Sequence, residues 1–211
     1  MWRSISKTII NEEIRNLNKF LRGEMITDHA GEIGAVYIYH GARHALLWRR
    51  YLINKQTVDI DQLSSFIDHH LESEQIHLSF FQEMMPKELH TNLWPFWILS
   101  GYSLGYLSMS VSPHFFYKTI EYVEEFVVKH YQKQITAMAI IERESPSIAT
   151  PNLQKILKSF RDDEDEHRSQ GLESAVSLFG DKTYEYPIWK SIVQGGSDYA
   201  TVISKYCKGY E

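Results

Sequence analysis

The chain has 211 residues, enough for one domain with a substantial core and few for two. Hydrophobic residues make up 43% and charged residues 23%, which excludes a disordered chain and a polytopic membrane protein; 11 glycines and 6 prolines are too few for an all-β fold crowded with turns. The net charge of −5 gives no electrostatic footing for nucleic acid as a partner, and a single cysteine, Cys207, excludes an internal disulfide framework or a cysteine-based zinc site.

Residues 1–7 carry Arg3 and Lys7 among serines, with no acid before Glu12, a composition compatible with the remnant of an organellar presequence. Residues 1–20 are read as an N-terminal extension of a single domain covering 1–211, and no secretory signal with an apolar core is visible. From Asn11 onward, long helical patterns follow one another with short breaks. The spacing predicts helices over Glu24–Asn54, over Asp59–Met85 closed by Pro86, and over Phe115–Arg143. A fourth runs from Pro151, a favourable first-turn residue after Thr150, to Phe179, and a shorter one covers Ile188–Tyr206. Nothing between them alternates like a half-buried strand, so the predicted fold class is all-α.

Residues 89–117 differ from the rest: they contain no Asp, Glu, Lys or Arg and carry Trp94, Phe96, Trp97, Tyr102 and Tyr106. Their length could span a bilayer, but five serines, two histidines, Gly101 and Gly105 dilute the stretch. A buried hairpin, or an apolar segment at a membrane interface with tryptophan anchors, fits better than a span.

Ten histidines beside 27 acidic residues form an inventory suited to a hard metal, given the right placement. Two acid-x-x-His pairs meet that condition: Glu74-Gln75-Ile76-His77 in the second long helix and Glu164-Asp165-Glu166-His167 in the fourth. Positions i and i+3 share a helix face, so each pair can point at one metal. The first and third helices each offer a Glu with a Tyr two turns later, Glu32 with Tyr39 and Glu124 with Tyr131. Glu32 to Glu74 is 42 residues and Glu124 to Glu164 is 40, so the two halves repeat one unit. A Glu from each of two helices and Glu-x-x-His from the other two is the ligand pattern of ferritin-like di-metal carboxylate bundles. The predicted architecture is such a four-helix bundle, with an apolar helical insertion between its halves and a C-terminal helix.

Four ionised glutamates with two neutral imidazoles carry −4, which two divalent ions balance; the oxygen and nitrogen donors without thiolate suit iron or manganese. Without metal, such carboxylates would have to protonate or pay heavily for burial. Asp163, next to Glu164, is placed to reach the outer nitrogen of His77. His130, beside Tyr131, is counted with Tyr39, Tyr131, Glu32, Glu124 and Glu164 as a candidate for the chemistry. His40, His44, His69, His70 and His114 are read as surface or capping residues. Small residues around Glu32, with Gly34 and Gly171, suit close helix approach or substrate access.

These residues resemble the demethoxyubiquinone hydroxylases. The likeness is carried by Asp28-His29-Ala30-Gly31-Glu32-Ile33-Gly34-Ala35 with Ile38-Tyr39, and by Glu74-x-x-His77. It continues through Val123-Glu124-Glu125 with His130-Tyr131, Phe160-Arg161-Asp162-Asp163-Glu164-x-Glu166-His167, and Lys190-Ser191-Ile192-Val193-Gln194-x-Gly196. The resemblance implies a di-iron monooxygenase of ubiquinone biosynthesis that uses O2 to hydroxylate the ring of a demethoxyubiquinol. It implies two iron ions held by Glu32, Glu74, His77, Glu124, Glu164 and His167. NADH is the implied electron source, and the chain has no glycine-rich nucleotide-binding motif of its own. Peripheral attachment to the matrix side of the mitochondrial inner membrane, or to the cytoplasmic membrane in a bacterial host, is implied with a lipid-binding helper protein. The chain departs from the family pattern at Ile26, where an arginine is expected, at Ala42 in place of glutamine, and at Arg168-Ser169 after His167. Two rival readings keep the bundle: a ferritin-like iron oxidase, and a non-catalytic subunit of a larger membrane assembly.

Overall fold

The computed structural model describes residues 2–52, 59–146, 150–179 and 184–210. Among the described residues there are seven α-helices and no strand: α1 (Lys7–Asn16), α2 (Lys19–Leu52), α3 (Ile60–Met84), α4 (Trp94–Val111), α5 (Pro113–Glu144), α6 (Pro151–Phe179) and α7 (Pro187–Tyr206). The described residues are all-helical, as the periodicity predicts. The first long helix starts at Lys19 rather than at Glu24, and its predicted end at Asn54 lies outside the described residues.

Local chemistry sets the helix boundaries. Asp59 caps α3 by accepting from the backbone N–H groups of Asp61 and Gln62, and Pro86 follows its end. Ser112 closes α4 and opens α5: its hydroxyl accepts from the N–H of Phe115, and Pro113 takes the first helical position. The start of α6 is capped from a distance, because Glu13 of α1 accepts from the N–H of Leu153 at 2.8 Å and from the side-chain amide of Asn152 at 2.7 Å. A carboxylate there satisfies orphan donors and opposes the positive end of the helix dipole.

Helix α2 packs on α3 and α5 on α6, each pair folding back across a short connection, and the pairs join into one bundle. Beside a small cluster of Ala30, Ile33 and Trp97, two large apolar clusters fill it. One gathers Trp2, Ile10 and Ile14 from the N-terminal residues with Phe80, Phe81, Met138, Leu157 and Phe160. The other gathers Leu63, Ile67, Phe116, Ile120, Tyr122 and Ala175. Tyr131 belongs to the first and Tyr39 to the second, and both reach the polar cluster described below.

The uncharged stretch begins at Leu89, the last residue of a short 3-10 turn (Lys87–Leu89), and forms α4 and the first residues of α5. Helix α4 lies against α2 backbone to backbone. A methyl group on Gly101 would overlap the carbonyl oxygen of Gly34, one on Gly105 that of Ile38, and one on Gly41 that of Tyr102. Glycine is what permits this approach. The outer side of α4 exposes Trp94, Phe96, Leu99, Leu107 and Val111, and α7 exposes Ile188, Ile192, Tyr199 and Val202. No helix among the described residues is long and apolar enough to cross a membrane.

Candidate metal centre

Four helices deliver the six predicted ligands to one point. Glu32 comes from α2, Glu74 and His77 from α3, Glu124 from α5, and Glu164 and His167 from α6; none is more than 4% exposed. The i, i+3 spacing lays each Glu-x-x-His pair along the inner face of its helix. Their donor atoms form two overlapping groups in which all atoms lie within 4.8 Å of one another. Glu32, Glu74, His77 and Glu164 make one group, and Glu74, Glu124, Glu164 and His167 the other. Glu74 and Glu164 are therefore common to both. Glu125, the neighbouring acid, turns outward to Lys129 and Lys190, whose ammonium groups pull its carboxyl down to about 2.

Glu164 stands between the two imidazoles, with His77 Nδ1 3.0 Å from Oε1 and His167 Nδ1 3.0 Å from Oε2. Burial pushes this carboxyl up, but its hydrogen bonds with His167 and His77 outweigh burial and hold it well below the usual range. The same contacts act in reverse on the imidazoles: against burial, Glu164 and Glu74 raise His167 to about 11, and Asp163 and Glu164 raise His77 well above its ordinary value. Burial drives Glu32 and Glu124 well above the carboxylate range and raises Glu74, with the other acids of the cluster adding to it. The cluster thus carries protons where it has no other cation. Glu32 Oε2 is buried with no hydrogen-bond partner. Buried acids held protonated, an orphaned carboxylate oxygen and a purely O/N donor set fit a pair of divalent cations.

The surrounding residues divide clearly. Asp163 Oδ2 lies 3.2 Å from Nε2 of His77, leaving Nδ1 toward the cluster. Each tyrosine serves the glutamate of the opposite half: Tyr131 donates its hydroxyl to Glu32, and Tyr39 reaches Glu124. His130 does not join the six. Its Nε2 lies 2.9 Å from Thr27 Oγ1 and 3.1 Å from Asp28 Oδ1, and it lines a cavity beside the cluster.

That cavity, of about 400 Å³, is walled mainly by apolar side chains of α2, α4, α5 and α7 and reaches Glu32, Glu74, Glu124 and Glu164. Gly31 and Gly34 leave open space where side chains would stand. Thr27, Asp28 and His130 give it one polar region.

The structure corrects the reading of two histidines. His70 and His114 are buried, not surface or capping residues: His70 hydrogen-bonds with Tyr39 and Gln170, and His114 with the hydroxyl of Tyr186. Sequence reasoning missed His70 although a signal was present, since positions 70, 74 and 77 share one helix face. The family departures fall away from the ligands. Ile26 and Ala42 are buried among apolar residues, and Arg168 pairs with Asp165 on the outside.

Comparison with known proteins agrees with this constellation. The family model described as "Ubiquinone biosynthesis protein COQ7" matches residues 19–204. The chain belongs to this family. It is 31% identical over 193 residues to the bovine "NADPH-dependent 3-demethoxyubiquinone 3-hydroxylase, mitochondrial", covering 90% of this chain and 80% of that protein. The human protein of the same name is 30% identical over 206 residues, covering 97% of this chain and 84% of its own length. The "5-demethoxyubiquinone hydroxylase, mitochondrial" of Saccharomyces cerevisiae is 29% identical over 157 residues, covering 70% of this chain and 63% of the yeast protein. In this member of the family, the match takes in all four ligand-bearing helices and most of α7.

Proposed function

We propose that this chain is a ferritin-like di-iron monooxygenase that hydroxylates the ring of a demethoxyubiquinol with O2, in ubiquinone biosynthesis. One observation carries the reading: two buried carboxylate–imidazole groups sharing Glu74 and Glu164 lie at an apolar cavity of the size of a substituted ring with the start of a tail. The names of the bovine, human and yeast relatives supply the substrate class. Glu32, Glu74, His77 and Glu164 would hold one iron, and Glu74, Glu124, Glu164 and His167 the other. Bound there, the metal pair supplies the reductive activation of O2.

The chain's own residues do the rest. Asp163 fixes the ring orientation of His77, and Tyr131 orients Glu32 by donating to it. The apolar walls exclude water and receive the ring, while Gly31 and Gly34 leave it room beside Glu32. His130, held between Thr27 and Asp28, offers the polar region nearest the ring. A reduced nicotinamide is the electron source; NADH is the donor implied by the family resemblance, and the relatives' names specify NADPH. The exposed apolar residues of α4 and α7 flank the cavity and suit peripheral attachment to the matrix face of the inner membrane, or to the cytoplasmic membrane in a bacterial host, with a lipid-binding helper protein. The cavity favours a hydrophobic ring over Fe(II) as the substrate, and so favours this reading over an iron oxidase.

The test is a quinone profile. The chain and its Glu164→Ala variant are expressed, with the helper protein, in a host lacking its own demethoxyubiquinone hydroxylase. Mass spectrometry should find ubiquinone with the wild type and only the precursor with the variant. Precursor persisting with well-expressed wild type would overturn the hydroxylase reading in favour of a non-catalytic subunit.

A further inference from the structure

His70 lies on α3 one turn before Glu74 and faces the interior. Its Nδ1 is 3.1 Å from the hydroxyl of Tyr39, and its Nε2 is 2.9 Å from Oε1 of Gln170. Gln170 in turn donates from Nε2 to Glu166 at the surface, at 2.8 Å. That last bond fixes which end of the amide faces inward. Oε1 must accept, so Nε2 of His70 carries the ring proton and Nδ1 presents a lone pair to Tyr39. Phe66 stacks on the imidazole with ring centroids 3.9 Å apart, which pins its plane. The ring is therefore fixed in position, orientation and tautomer.

Its two inner neighbours belong to one half of the cluster. Tyr39 reaches Glu124, and the imidazole of His167 lies 4.3 Å from that of His70, centroid to centroid. Glu124 and His167 both sit in the group with Glu74 and Glu164, and neither is in the group with Glu32 and His77. The Glu32 half has its own tyrosine, Tyr131, bonded directly to the carboxylate.

We infer that His70, oriented by Gln170, is a positioning residue for one of the two metal positions, packing its ring on the His167 imidazole and accepting from the Tyr39 hydroxyl on Nδ1 so that this hydroxyl is fixed beside the Glu124 group. The inference rests on the metal reading above. Partners that orient ligands in this way typically account for a 10–100-fold difference in metal affinity or activity.

The test is a titration of the chelator-stripped full chain with Co(II), followed by visible absorption and equilibrium dialysis. Wild type should take two equivalents. His70→Leu should weaken one of them about 10–100-fold and alter its absorption band, leaving the other unchanged. His70→Asn keeps an acceptor where Nδ1 stands and should stay within a few-fold of wild type. The double variant Tyr39→Phe with His70→Leu should lose less than the sum of the two single losses, because both remove the Tyr39–His70 bond while only His70→Leu removes the packing on His167. Should His70→Leu fail to fold, Gln170→Met removes the tautomer-setting bond from the partly exposed side and should lower the same affinity. Two equivalents bound by wild type with His70→Leu or Gln170→Met unchanged would overturn this inference alone. So would full additivity in the double variant, or His70→Asn as weak as His70→Leu. A wild-type chain that binds no cobalt would overturn the metal reading and this inference with it.

Discussion

His29 accepts a hydrogen bond from the N–H of Thr91 at 3.0 Å and lies against His90, with ring centroids 4.6 Å apart. Burial, with smaller contributions from His90 and Lys208, pushes it down to about 3, so the fold holds it neutral. The unfolded imidazole takes a proton below its ordinary value of 6.5. This contribution is therefore complete above that pH and is lost as pH falls from there toward 3, at up to about 1.4 kcal/mol per pH unit. Urea melts at pH 7.5 and 5.5 should show wild type losing about 1 kcal/mol more than His29→Asn, which keeps an acceptor but does not titrate. Equal losses would remove His29 from the account. Gly31 sits at the other extreme, with nothing within 4 Å of where a methyl group would stand and the cavity beside it. Gly31→Leu should leave metal content unchanged and cut product formation more than tenfold, by filling the space meant for the ring; full turnover would show that the ring enters elsewhere. At this scale the sequence was most legible for the ligands, whose spacing is local to each helix. It was least legible for His70 and His114, whose partners Gln170 and Tyr186 lie 100 and 72 residues away.

Helices with a polar face and a clear cap are readable from the residues alone. Pro151–Phe179 matches its prediction, and the helix predicted from Asp59 to Met85 runs from Ile60 to Met84. The apolar insertion over 89–117 stands out in the sequence by its composition, but the bounds of helix α4 within it do not, because it is uncharged and lacks an amphipathic period. Its place is set instead by backbone contact. Gly105→Ala would drive a methyl into the carbonyl of Ile38 and should cost about 3 kcal/mol, the upper end for overpacking, because backbone cannot move aside as a side chain does. Circular dichroism melts test this, with Gly195→Ala on α7, where nothing lies within 4 Å, as the unclashed comparison that should gain about 0.5–1 kcal/mol. The N-terminal helix is tied in by Glu13 at the start of α6, and Glu13→Ala should cost about 1–2 kcal/mol through the lost cap. An unchanged midpoint would mean that water replaces the carboxylate there.

The molecule as a whole carries a buried cluster in which Glu32, Glu74 and Glu124 have raised pKa values and His77 and His167 are strongly basic. Divalent cations must displace those protons, so metal uptake should release several protons per chain and weaken as pH falls. Loading with Fe(II) under anaerobic conditions, in weakly buffered solution with a pH indicator, measures the release directly. Because only the folded chain assembles both ligand groups, the same loading should raise the melting temperature by several degrees, and a chelator should reverse it. Uptake without proton release would contradict the protonation described here. The global arrangement was legible in outline through the 42- and 40-residue spacings, which pair the four ligand helices. The cavity was not, since its walls come from α2, α4, α5 and α7 at once and no single stretch encodes it.

Two of those walls are attached in different ways. Helix α4 meets α2 through interlocked backbone at Gly41, Gly101 and Gly105, whereas α7 is fastened by long side chains: Lys205 to Glu24 at 2.8 Å, Lys190 to Glu125 at 2.6 Å, and the indole of Trp189 to Thr119 at 2.8 Å. Interlocked backbone moves as one body, while ion pairs and single hydrogen bonds can break and re-form one at a time. Of these two walls, α7 is the one whose polar fastenings can be broken singly, and so the one that should yield first if the cavity widens. Raised salt should weaken the Lys190–Glu125 fastening, where both partners are reached by solvent, and a bulky guest that passes α7 should then exchange faster.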